Sequence, residues 1–160
     1  MHQSLQLLCL LMVANGAPII ARKLFGQRWN APIDGGRCLP DGRRLLGVSK
    51  TWRGIVAALS ITPLVSVAIG LSVGIGVAVA AGAMLGDLSS SFLKRRLGRP
   101  SSSQALGLDQ IPEALAPLLL VAPELSLSPS HILGLTTVFL VGELLLSKLL
   151  YRLKIRQRPY

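Results

Sequence analysis

Gly86-Asp87-Leu88-Ser89-Ser90-Ser91-Phe92-Leu93-Lys94-Arg95-Arg96 closes a long apolar block and opens a basic one. The 33 residues from Gly54 to Gly86 carry no formal charge, and Lys94, Arg95, Arg96 and Arg99 follow Asp87 closely. One membrane helix needs ~20 residues, so the stretch from Trp52 to Leu93 divides into two spans, with the break near Gly70-Leu71-Ser72. Asp87 then stands about 10 Å of helix rise above Lys94, just inside the hydrocarbon edge.

The rest of the chain follows the same pattern. Of its 160 residues 51% are hydrophobic and only 15% charged, and mean hydropathy is +0.55. A soluble domain carries about a quarter charged residues. The 16 glycines suit close helix packing in a membrane. Residues 1–160 therefore read as one integral membrane domain, an all-α polytopic helical bundle with five transmembrane helices. Its spans fall at about 5–21, 52–69, 72–93, 108–124 and 130–150, and its cytoplasmic loops at about 22–51 and 94–107. The fourth is the weakest, because Pro112, Glu113, Pro117 and Pro123 interrupt it. Pro63 is expected to be tolerated within the second. Met1 to Ala21 lacks Lys and Arg and runs into Arg22-Lys23, so it reads as a retained span and not as a cleaved signal.

Charge sets the orientation. Five spans put the segments 22–53 and 94–109 and the C-terminal tail on one side, and those segments hold all 17 Lys and Arg. The positive-inside rule makes that side cytoplasmic, with the N-terminus out and the C-terminus in. The expected location is the cytoplasmic membrane, with any active site facing the cytosol. The net charge of +10 is thus answered by anionic head groups, and no nucleic-acid partner is expected. Cys9 and Cys38 imply neither a disulfide nor a thiolate metal site. His2, His131, Trp29 and Trp52 read as interfacial residues. Oligomeric state is open, a homo-oligomer included.

On a helix Asp87, Ser91, Lys94 and Arg95 fall at i, i+4, i+7 and i+8, one face. The positions three and four beyond Asp87 are Ser90 and Ser91, so no cation on its own helix answers the carboxylate. Either a metal or a basic residue of another segment must, because an unpaired intramembrane acid is costly. Asp109 opens the next apolar run on the same side. Two carboxylates plus phosphate oxygens suit Mg²⁺. A second cluster, Asp41-Gly42-Arg43-Arg44, Gly47 and Lys50-Thr51-Trp52-Arg53-Gly54, combines glycines with cations in a way that suits a triphosphate, although ordinary positive-inside residues would look the same. It lacks Walker A spacing. Asn15, near the cytoplasmic end of the first span, could hydrogen-bond a ligand or another helix; Glu143, within the last span, could pair with Lys148 or Arg152 or line a lipid cleft. No Ser-His-Asp or Cys-His set is legible.

Together, Gly86-Asp87-Leu88, Ser91-x-x-Lys94-Arg95 and Asp109-Gln110 resemble the signature region of CTP-dependent lipid cytidylyltransferases. Phosphatidate cytidylyltransferases carry His-Gly-Gly and end in Asp-Arg; the shorter form here, ending in Asp-Gln, is similar to the CDP-archaeol synthase family. Asp41-Gly42-Arg43-Arg44-x-x-Gly47-x-x-Lys50-Thr51-x-x-Gly54 and Asn15-x-x-Pro18 resemble that family too. The resemblance implies a five-span enzyme that transfers CMP from CTP to a lipid phosphate and uses Mg²⁺ as cofactor. By that resemblance Asp87 and Asp109 are the metal ligands. Lys94, Arg95 and Ser91 handle phosphates, and Asp41, Lys50, Thr51 and Asn15 lie on the nucleotide side. Two rivals differ in class. A transporter or scaffold would tolerate Asp109→Asn, and a CDP-alcohol phosphotransferase would need an Asp-rich motif that is missing after Asp41-Gly42.

Overall fold

The computed structural model describes residues 3–101, 103 and 105–152, apart from the side chain of residue 150. His2, Ser102 and the tail cations Lys154, Arg156 and Arg158 lie outside the described residues. The chain is all-α, with α1 (Gln3–Phe25), α2 (Trp52–Ala68), α3 (Val73–Arg96), α4 (Gln110–Leu125) and α5 (Pro129–Arg152). Local chemistry sets the ends. Arg22 and Lys23 complement the C-terminal dipole of α1, and Gly26 follows with φ +54°. Thr51 caps α2 by accepting from the Gly54 amide, and Ser72 caps α3 by accepting from that of Ile75. The uncharged block breaks at 69–72, as its length required.

Three helices, α1, α3 and α5 over Pro129–Leu149, are long and apolar enough to cross a membrane. The other two are shorter, α2 with 17 residues and α4 with 16. At ~1.5 Å per residue they reach about 25 Å, less than the ~30 Å hydrocarbon layer. Apolar side chains also cover the outside: Leu64, Leu133 and Leu145 are 71%, 69% and 62% exposed. Helices apolar on every side suit a lipid surround.

α3 is the centre, packed against α2 and α4 and touching α1. Three of its glycines each meet a proline. A Cβ at Gly76 would come 2.5 Å from Pro63 Cα, one at Gly82 2.5 Å from Pro117 Cα, and one at Gly86 2.1 Å from the Pro112 carbonyl oxygen. No side chain fits at those distances, so glycine sets how closely α2 and α4 approach. Leu7, Leu10, Val79, Leu118 and Phe139 fill the remaining core and are fully buried. Truncating Phe139 to Ala would cost about 3–5 kcal/mol through the cavity left behind.

The two ends differ in chemistry. At one, short turns join α2 to α3 and α4 to α5, tied to α1 by Gln3 Nε2 donating to Leu125 O, Gln6 Nε2 donating to Ile69 O, and Ser4 with His131. At the other stand the segments 26–51 and 97–109 and the basic ends of α1 and α3. α2 and α4 present their N-termini at that polar end, where the helix dipole favours anions.

Candidate active site

Ser91, Lys94 and Arg95 are buried on one face of α3, below the half-buried Asp87. The partner that Asp87 needs is Lys50, whose Nζ lies 2.5 Å from Oδ1. A backbone turn delivers it, Lys50 N donating to Gly47 O at 3.3 Å and Ile33 N to Lys50 O at 2.9 Å. Asp109 makes a second pair, its Oδ1 lying 2.6 Å from Lys94 Nζ, while its Oδ2 accepts from the Ala105 amide. Lys94 also donates to Ser103 O at 3.1 Å. Both aspartates thus sit at the polar end, each with a lysine.

Lys50 joins them electrostatically. Burial alone would lower its pKa, but Asp87, Glu113 and Asp109 outweigh that and hold the ammonium above its ordinary value. Glu113 belongs to this cluster and was not among the expected site residues. It is buried and interacts electrostatically with both Asp87 and Lys50. The spacing Asp109-x-x-x-Glu113, one helical turn, was the available signal. What brings Glu113 to Asp87 is Gly86, which lets the backbone of Pro112 and Glu113 press against α3.

Two cavities open beside this cluster, with Val48 in the wall of both. One, of about 280 Å³, is lined by Arg43, Arg44, Arg95, Arg99, Gly47 and Ser101. Among the described residues, Arg44 Nε, Arg95 Nε and Ser101 Oγ, on three of the residues that line it, are buried without a hydrogen-bond partner. Guanidinium groups with unanswered donors suit the oxygens of a polyphosphate. The other, of about 180 Å³, sets Asp87, Lys50 and Thr51 against apolar Pro18, Ile55 and Met84.

The other expected residues fall elsewhere. Ser91, Lys94 and Asp109 line neither cavity. The Asp41 carboxylate takes Arg96 Nη1 at 2.5 Å and the Arg43 amide at 3.1 Å. Asn15 Nδ2 donates to Leu11 O of its own helix, and Asn15 is not among the residues lining either cavity. Arg53 lines the smaller cavity yet holds Gly26 O and Arg28 O, joining the end of α1 to α2.

Among the described residues no three His, Cys, Asp or Glu side chains form a cage for a metal. Mg²⁺ needs none, since it keeps waters and takes phosphate oxygens alongside one or two carboxylates. Asp87 opens on the smaller cavity, and its carboxylate is a hard-oxygen donor of the kind that ion takes alongside phosphate oxygens and water.

The CarS-like family model, described as CDP-archaeol synthase, matches residues 3–74 and 58–160. A CDP-archaeol synthase of Thermococcus kodakarensis is 37% identical over 136 residues, covering 78% of this chain and 76% of the relative. That of Sulfurisphaera tokodaii is 35% identical over 156 residues, covering 93% and 90%. A solved structure, described as an intramembrane enzyme for archaeal membrane lipids biosynthesis, matches with a TM-score of 0.72 at 33% identity, over 89% of this chain and 90% of that one.

Proposed function

The chain belongs to the CarS-like CDP-archaeol synthase family and is an enzyme, and from that premise we propose that it transfers CMP from CTP to a lipid phosphate, releasing pyrophosphate. The observation that carries this reading is the pair of cavities meeting at Val48, one ringed by arginines and one pairing an acid–lysine site with an apolar wall. The triphosphate takes the arginine groove, its oxygens met by the guanidinium groups of Arg43, Arg44, Arg95 and Arg99. The lipid phosphate takes the smaller cavity beside Lys50, its tails running along the apolar surface of the bundle.

In the transfer, an oxygen of the lipid phosphate attacks the α-phosphorus of CTP, one P–O bond forms, and the α–β P–O bond breaks. Pyrophosphate leaves with the bonding electrons. The attacking phosphate is already anionic, so no strong base is required. Lys50 lowers the repulsion between the two substrates, and Arg44, Arg95 and Arg99 stabilise the charge growing on the leaving pyrophosphate. Asp87 holds Lys50 in place, and Lys94 holds Asp109. Mg²⁺, bound by Asp87 and Asp109, would supply further charge neutralisation at the phosphates.

The lipid is an isoprenoid glycerol phosphate of the archaetidic-acid type, or phosphatidic acid. The protein sits in the cytoplasmic membrane as a single domain with five spans, N-terminus out and both cavities open to the cytosol, the membrane thinning locally to meet the shorter α2 and α4. The charge asymmetry and the antiparallel order of the helices support this arrangement. The test incubates purified protein with labelled CTP, Mg²⁺ and a panel of both lipid phosphates. CDP-lipid and pyrophosphate are expected in equal amounts, the product requiring added Mg²⁺; pyrophosphate without CDP-lipid would overturn the reading.

A further inference from the structure

The segment 26–51 has almost no regular structure, only two isolated bridges, Pro32 with Thr51 and Cys38 with Arg44. One carboxylate organises it. Asp34 has a fully buried side chain. Its Oδ1 accepts from the Gly36 amide at 3.0 Å and from Arg44 Nη2 at 2.7 Å, and its Oδ2 from the amides of Leu46 at 3.2 Å and Gly47 at 3.0 Å. All four donors lie within the segment, and two of them, Arg44 and Gly47, line the arginine groove.

The position of Gly47 is what the groove depends on. It has φ +107°, and a Cβ there would lie 2.8 Å from Ser101 Oγ, so the backbone rests directly on the segment that follows α3. The next three residues run to Lys50, the partner of Asp87. Asp34 also holds Arg44 by Nη2, and Arg44 is one of the residues that line the groove.

We propose that Asp34 is a positioning residue for the nucleotide, fixing Gly47 and the Arg44 guanidinium so that the groove is ready to take a triphosphate. The inference rests on the assignment of the arginine groove to CTP. Asp34 touches no substrate. It acts through its two neighbours.

The test compares the wild-type enzyme with Asp34→Asn and Asp34→Glu in detergent. It measures KM for CTP, KM for the lipid phosphate, kcat, CTP binding by calorimetry, and trypsin cleavage after Arg43 and Arg44. Asp34→Asn is expected to raise the KM and Kd for CTP about ten- to a hundredfold, the range for lost hydrogen bonds to a charged group. The lipid KM should stay within about twofold of wild type. Cleavage at Arg43 and Arg44 should rise and be suppressed by saturating CTP, and Asp34→Glu should restore part of the affinity. Unchanged CTP binding in Asp34→Asn, or equal losses in both KM values, would overturn the proposal. Should Asp34→Asn not fold, the same measurements on Asp34→Glu decide, with a selective rise in the KM for CTP again expected. Failure of the underlying assignment reads differently, because the wild-type protein would then bind no CTP while the Asp34 variants still opened to trypsin.

Discussion

The bundle and the segment 26–51 are held together by opposite physics. Around α3 the contacts are made by absence: three glycines without side chains meet three prolines without amide hydrogens, and backbones touch. In the segment the contacts are made by one anion that gathers three amides and a guanidinium. A bundle in lipid has no hydrophobic drive for helix association and relies on fit. A loop at the water boundary cannot rely on apolar fit and uses charge-assisted hydrogen bonds. The proposed site lies where the two meet, with Asp87 from the fitted part and Lys50 from the charged part.

The largest test of that division falls on the joint itself. Asp87→Asn leaves Lys50 among weaker partners and is expected to lower kcat by about a hundredfold or more with the fold retained; steady-state turnover with CTP and lipid phosphate measures it. Next comes the fitted part. Gly86→Ala places a methyl 2.1 Å from the Pro112 carbonyl oxygen and should cost about 1–3 kcal/mol as well as activity, since Glu113 moves with Pro112. Gly134→Ala is the matching control, because nothing lies within 4 Å of a Cβ there. Thermal unfolding in detergent should separate the two variants clearly. If both behave alike, close approach at Gly86 is not what seats α4.

The charged part gives a smaller effect with a defined pH signature. Burial opposes the Asp34 charge, but the amides of Gly47, Gly36 and Leu46 and the Arg44 side chain outweigh it and bring the pKa from 3.8 to about 2. A depressed folded-state pKa contributes stability that is complete above the unfolded value of 3.8 and disappears as pH falls through about 2. At neutral pH the contribution is about 2 kcal/mol. Melting curves at pH 5 and pH 2.5 should therefore differ less in Asp34→Asn than in wild type. The smallest effect belongs to Asp41. Its pKa is lowered chiefly by the Arg43 amide, but its carboxylate is 42% exposed to solvent in the pair with Arg96. Exposed pairs contribute little, so Asp41→Asn should change the KM for CTP only slightly. A change as large as that of Asp34→Asn would place Asp41 in the nucleotide site.

Much of the molecule was legible in the chain, for reasons that are local. The uncharged run Gly54–Gly86 fixes how many helices it must form, because span length is set by the solvent and not by partners. Asp87, Ser91, Lys94 and Arg95 share a face because helical periodicity is a property of the backbone. The residues that answer those groups were not legible. Lys50 lies 37 positions before Asp87, and Glu113 reaches it only because Gly86 admits the start of α4. Asp34 carries no motif at all, since its donors are mostly backbone amides whose direction depends on the folded loop.

The sequence by itself therefore determined the helices, the polar end and the acids that must be answered there, since each follows from the hydropathy or spacing of neighbouring residues. Only the tertiary structure decided which cation meets which acid, and that Asp34 and not Asp41 is the hub of the polar segment. Partner choice depends on distances between segments far apart in the chain, and those distances are set here by three missing side chains on α3 and one buried carboxylate.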